Sequence, residues 1–139
     1  MKLTLKQIGN DAHFKAHTEN GNTTEVHSPI IDGATKQAPS PMETLLVAAA
    51  GCTSVDVLLI LKKMKQPIEN LEIAVNGTRT PNENTKPFTS IDLAYVIVGD
   101  VDEKKANRAV KLSVEKYCSV LDSLNPEIEI SWTVEITKN

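Results

Sequence analysis

Between Leu45 and Leu61 the chain carries apolar residues on every side of what reads as one helix. Such a helix is buried all round rather than along one stripe, and a chain of 139 residues has little protein with which to surround it. Ser40-Pro41-Met42-Glu43 marks its start, with an N-cap serine, proline at the first helical position and glutamate at the third. The helix is expected to end near Gln66-Pro67. Asp56 near its middle argues against a membrane span, and the opening MKLTLKQIGNDAHF has no apolar run of signal-peptide length. A soluble, cytoplasmic protein is expected.

The elements around this helix follow from residue spacing. Residues 1–30 alternate, as at Leu3/Leu5 and in AHFKAH, and Asn20-Gly21 is a hairpin signal, so a small antiparallel meander is predicted. SPIIDGATKQAPSP reads as an ordered turn and loop leading into the helix. Leu71, Ile73 and Val75, then Ile91, Leu93, Tyr95 and Ile97, alternate as a second hairpin. Asp100-Val-Asp-Glu103 opens a second helix whose stripe is Ala106, Val110, Ser113, Tyr117, Val120/Leu121 and Leu124, and Asn125-Pro126 stops it. In the last strand Ile128, Ile130, Trp132, Val134 and Ile136 share a face. This order predicts an α+β fold, helices against antiparallel sheet, in a single domain over residues 1–139.

Net charge is −3 and the 15 basic residues are scattered, so no nucleic-acid footprint exists. Cys52 and Cys118 are the only cysteines. They form no CxxC and no metal-ligand set, and no cofactor or metal is expected; His13, His17 and His27 have nothing else converging on them. Cys52 sits about three turns into the helix, beyond reach of the helix dipole, and Asp56 one turn on disfavours its thiolate. Taken alone, it reads as a small core thiol. Cys118 lies one residue off the second helix's stripe, where the same packing reading holds; Tyr117, within the stripe, reads as core. Glu43 can cap the Ser40 amide or act at the sulfur, but about 13.5 Å of helix at about 1.5 Å per residue separates it from Cys52.

Pro41-Met42-Glu43-x-Leu45-Leu46-x-Ala48-Ala49-x-Gly51-Cys52-Thr53-x-x-Asp56-Val57, with Tyr117-Cys118-Ser119-Val120, resembles the OsmC/Ohr family of osmotically inducible and organic hydroperoxide resistance proteins, its YhfA-like subgroup above all. The resemblance spans nearly the whole chain. It implies an intertwined homodimer in which sheets wrap two long central helices, and a thiol-dependent peroxidase acting on hydroperoxides. Cys52 matches the peroxidatic position and Cys118 the resolving one, with a thiol reductant closing the cycle. The family's hydroperoxide reductases add an N-terminal arginine held by a glutamate directly after the helix-start proline. Here Arg79 and Arg108 are the only arginines, Met42 follows Pro41, Glu43 stands one residue later, and Lys36 is the nearest basic residue before the helix. Three readings stay open: a peroxidase, an OsmC-like small-molecule binding or redox-sensing protein without efficient peroxidase activity, and a fold with both thiols inert in its core.

Overall fold

A computed structural model describes residues 1–138. The chain divides into two units, Met1–Leu45 and Leu46–Asn139. In the first, β1 (Leu3–Gln7), β2 (His13–Thr18) and β3 (Thr23–His27) form the expected antiparallel meander. Leu5 pairs with Ala16, and Phe14 with Val26. Gly21 takes φ 82° in the β2–β3 turn, a left-handed conformation that costs glycine nothing.

The segment of residues 28–40 is held by side chains rather than by secondary structure. Asp11 accepts the Ile30 N–H at 2.8 Å and the Ala12 N–H at 2.7 Å, while the His27 N–H donates to Pro39 O at 3.0 Å. His27 Nδ1 accepts the Gln37 N–H at 3.0 Å, which leaves Nε2 to carry the ring proton and donate it to Asp11 Oδ2 at 3.0 Å. An ordered loop is the result.

The long helix α1 (Pro41–Lys63) starts in the first unit and runs on into the second. It ends as Lys65 turns left-handed at φ 54°; Gln66 N–H bonds Leu61 O and Lys65 N–H bonds Lys62 O, so two of the orphan carbonyls are satisfied. Its fully buried residues are Ala49, Thr53, Val57 and Leu61, one stripe at four-residue spacing. Val47, Val55, Leu58 and Leu59 are exposed. Burial all round is therefore not achieved within one chain. The helix is long and apolar enough to cross a membrane, as is the core helix of many soluble proteins.

In the second unit β4 (Ile68–Arg79) and β5 (Phe88–Gly99) form the predicted hairpin. The last strand, β6 (Glu129–Thr137), lies on the other edge of β5 and runs parallel to it, so the sheet is mixed where antiparallel pairing was expected. Alternation within a strand is the same for either direction; the long connection from β5 sets it, since parallel neighbours need a crossover. The central strand β5 buries Ile91, Leu93, Tyr95 and Ile97. They and Leu61 of α1 are among the largest fully buried side chains, and full burial of one such aliphatic side chain contributes about 1.5–3 kcal/mol.

That crossover is not the single helix its spacing suggested. Asp102 caps α2 (Glu103–Leu112), accepting the Lys105 N–H at 2.9 Å; a π-helical turn (Ser113–Tyr117) follows, and after Cys118 a short α3 (Ser119–Asp122). The π turn is closed by Cys118 N–H donating to Ser113 O at 2.9 Å, five residues back. A turn of this kind holds one residue more than an α turn. It rotates the stripe by a position: Cys118 moves inward to 3% exposure, and Tyr117, expected in the core, is 49% exposed beneath the Lys116 ammonium.

Candidate functional site

Cys52 stands next to Thr53 of the buried stripe of α1 and is half-buried; Cys118 is buried, and both are free thiols. The backbone is extended at Cys118 (φ −71°, ψ 100°), which breaks the helix and makes its side chain the cap of α3: Sγ accepts the Leu121 N–H at 3.4 Å. Burial pushes the Cys118 thiol up to about 11, and the Cys52 thiol, acting as a hydrogen-bonding neighbour, pushes the same way. The Leu121 N–H opposes them. The two cysteines that the sequence singled out are thus in contact range of each other's ionisation. Cys118 also opens onto a cavity of about 370 Å³ walled by Leu121, Leu124, Ile128 and Ile130, with Glu115 and Lys116 among its polar residues.

Polar side chains that sequence reasoning did not assemble join α1 to the π turn that precedes Cys118. Buried Ser113, from the π turn, lies 3.2 Å from Thr53 O and 3.1 Å from Asp56 Oδ2, tying that turn to α1 through its hydroxyl. Thr53 spends its own hydroxyl proton on Ala50 O at 3.0 Å. Tyr95 reaches in from β5; burial, with the charges of Cys118 and Asp56, holds its hydroxyl up at about 12, Thr53 acting against this. The sequence signal was a serine placed within an apolar stripe, which asks for a buried partner.

Glu43 belongs to the first unit, and its carboxylate is engaged there. Oε2 accepts the Ser40 N–H at 2.7 Å and the Ser40 hydroxyl at 2.9 Å, and pairs with the Lys36 ammonium. Ser40 Oγ accepts the Glu43 N–H in return at 3.3 Å, which completes a capping box. Lys36 and the Ser40 donors hold the carboxyl down at about 2. The histidines also have local partners: His13 stacks on His27 with ring centres 4.6 Å apart, and its Nε2 lies 3.0 Å from Glu25. Among the described residues no three metal-ligating side chains converge.

The chain is 37% identical to Protein YhfA of Escherichia coli (strain K12) over 118 residues, 84% of this chain and 87% of that one. A crystal structure of a hypothetical protein from Aquifex aeolicus VF5 superposes with a TM-score of 0.79 at 36% identity, over 98% of this chain and 96% of that one. An organic hydroperoxide resistance protein from Elizabethkingia anophelis shares the fold at a TM-score of 0.74 and 18% identity, over 97% and 94% of the two chains. The family model for OsmC-like proteins matches residues 33–133, and that stretch contains both thiols, α1 and the whole crossover. On the strength of that match and of the identity to YhfA, the chain belongs to the OsmC-like protein family.

Proposed function

We propose that this protein is a thiol-dependent peroxidase that reduces hydroperoxides, organic ones in preference, with Cys52 as the peroxidatic and Cys118 as the resolving residue. Family membership supports a stress-related redox role, and the observation that carries the finer reading is the pairing of a half-buried thiol with a buried one. The Cys52 thiolate attacks one peroxide oxygen and the O–O bond breaks; the alkoxide leaves and takes up a proton, and Cys52 becomes a sulfenic acid. Cys118 then attacks the Cys52 sulfur, and its proton departs with the hydroxide as water. The resulting disulfide is returned to two thiols by an external thiol reductant, which supplies the two electrons.

The working unit in this reading is a cytoplasmic homodimer of OsmC-like domains, each spanning residues 1–139. The exposed apolar residues Val47, Val55, Leu58 and Leu59 support it, because α1 would bury them against a second copy. Glu43 serves as the residue that fixes the start of α1 and anchors Lys36.

The test is thiol loss under equimolar cumene hydroperoxide or hydrogen peroxide in wild-type, Cys52→Ser and Cys118→Ser proteins, with disulfides mapped by mass spectrometry. A Cys52–Cys118 bridge that forms faster with the organic peroxide and disappears in Cys52→Ser is the expected result. Unselective oxidation, no faster than that of a free thiol, would favour the second reading: a binding or redox-sensing protein without efficient turnover. The sequence supports that alternative, since its only arginines are Arg79 and Arg108 and neither lies in the meander before α1.

A further inference from the structure

We propose that Ser113 is the positioning residue of the resolving step: bonded through its hydroxyl to α1 beside Cys52 and through its carbonyl to the Cys118 N–H, it holds the two sulfurs within reach of each other. The inference rests on the thiol-peroxidase reading and adds to it a residue that supplies no reacting atom.

Ser113 is fully buried in the crossover, following the buried stripe of Ala106, Ala109 and Val110. Alanine would pack there without asking for a partner, whereas a buried hydroxyl destabilises unless it is bonded. Serines in and beside helices commonly meet that need locally, on the carbonyl four residues back. Ser54 of α1 does so on Ala50 O at 2.7 Å, and Ser123 on Ser119 O at 2.7 Å. Ser113 instead crosses to another element: its hydroxyl faces Thr53 O at 3.2 Å and Asp56 Oδ2 at 3.1 Å, 60 and 57 residues earlier in the chain. Thr53 is the residue after Cys52.

The other end of Ser113 sets Cys118. Ser113 O accepts the Cys118 N–H at 2.9 Å, closing the π turn whose extra residue turns Cys118 inward. Cys118 itself is extended, at the break between that turn and α3, so its place relative to α1 is set through the turn rather than by a continuous helix. Two hydrogen bonds through one residue therefore join Thr53 to Cys118, and the Cys52 thiol is a hydrogen-bonding neighbour of the Cys118 sulfur. A thiol buried in this way attacks slowly unless its target is held in place, because fixed proximity replaces a chance encounter. In the assisted step Cys118 S–H meets Cys52 S–OH: the S–S bond forms, the S–O bond breaks, and the oxygen leaves as water with the Cys118 proton.

Equilibration of the full chain in mixtures of reduced and oxidised glutathione, quenched by alkylation and read by mass spectrometry, gives the potential of the Cys52–Cys118 pair with no peroxide present. There the two protein thiols give two electrons and two protons to oxidised glutathione, which becomes two reduced molecules. Wild type, Ser113→Ala and Val110→Ala are compared where circular dichroism shows all three folded. Val110→Ala removes buried volume from the same crossover and keeps the serine. Ser113→Ala should make the disulfide about tenfold less favoured, raising the potential by about 30 mV, while Val110→Ala keeps the wild-type value. Under one equivalent of cumene hydroperoxide, with dimedone trapping the sulfenic acid, Ser113→Ala should form Cys52 sulfenic acid at the wild-type rate and the disulfide about tenfold more slowly. An unchanged or lowered potential in Ser113→Ala overturns the proposal, and so does an equal shift in Val110→Ala, the mark of loosened packing. Should Ser113→Ala not fold, hydrogen exchange on wild type decides: the Cys118 N–H must keep its protection in both dithiol and disulfide forms, and losing it on oxidation overturns the role. A pair that glutathione oxidises and peroxide does not ends the peroxidase reading while the potentials still decide on Ser113; a pair that neither oxidises overturns both.

Discussion

Replacing Val55 by lysine puts the proposed dimer at risk while leaving the chain's own core intact. Val55 is 57% exposed, and it shares one row of α1 with Val47, Gly51 and Leu59 at four-residue spacing, the row opposite the buried stripe. Full burial of a valine or leucine is worth about 1.5–3 kcal/mol, so a side chain already half covered has about 1 kcal/mol left to gain from a partner. Val55→Lys forfeits that gain. It also forces an ammonium into the contact, at an effective cost of several kcal/mol per ion. Two-fold symmetry counts both effects twice. A total of at least about 4 kcal/mol, at about 1.4 kcal/mol per decade, raises the dissociation constant by about a thousandfold. Sedimentation velocity over a wide concentration range should therefore show a wild-type dimer and a Val55→Lys monomer of native circular dichroism. An unchanged dissociation constant would refute the assignment of this helix face, and a monomeric wild type would remove the dimer itself.

Ser113→Ala deletes the hydroxyl that joins the π turn to Thr53 O and Asp56; a buried partner left unsatisfied costs about 1–3 kcal/mol, so urea unfolding that moves by less than about 0.5 kcal/mol would deny that tie any weight. Lys65→Gly relieves a left-handed non-glycine residue at the end of α1 and should stabilise by about 0.5–1 kcal/mol, read as a higher urea midpoint at constant slope. Asp11, held down at about 2 by the Ile30 N–H and then His27, and Glu43, held down at about 2 by Lys36 and the Ser40 N–H, give the native chain fewer protons than the unfolded chain as pH falls from about 4 to 2. Their stabilisation is thus present above that window and lost within it. Acid unfolding monitored by circular dichroism should lose part of its slope in Asp11→Asn and Glu43→Gln; an identical acid limb in both would contradict the assignment.

The frame of the fold was legible because its cues are local. A proline and a serine announce α1, Asn20-Gly21 announces a turn, and alternation announces five strand-like runs that the structure realises as paired strands. What resisted reading depended on distant partners. The direction of β6 leaves no mark on its own alternation. The outward row of α1 looks like core because the residues that would cover it are not on this chain's own inner side. The π turn is harder still: counting at 3.6 residues per turn from Ala106 places Tyr117 inside and Cys118 beside it, and only the extra residue between Ser113 and Cys118 reverses them. The candidate thiols were legible as a pair, whereas Thr53, Ser113 and Tyr95 were not, since each lies on a different element and reads locally as packing.

The reversal at Cys118 bears on how the two thiols divide their work in the proposed cycle. A thiol at the surface of the crossover would meet peroxide as readily as Cys52 and be open to overoxidation. Turned inward, with its proton held by burial up to about 11, Cys118 is kept from becoming a thiolate in the resting protein. Half-buried Cys52 then reacts first, and Cys118 attacks the sulfenic acid formed there. That protection slows resolution by the same cause, because a thiol whose pKa is pushed up in this way is scarcely ionised at neutral pH. The Leu121 N–H donated to this sulfur offsets part of that cost without exposing the thiol. A site that used surface exposure to speed the second step would lose selectivity in the first.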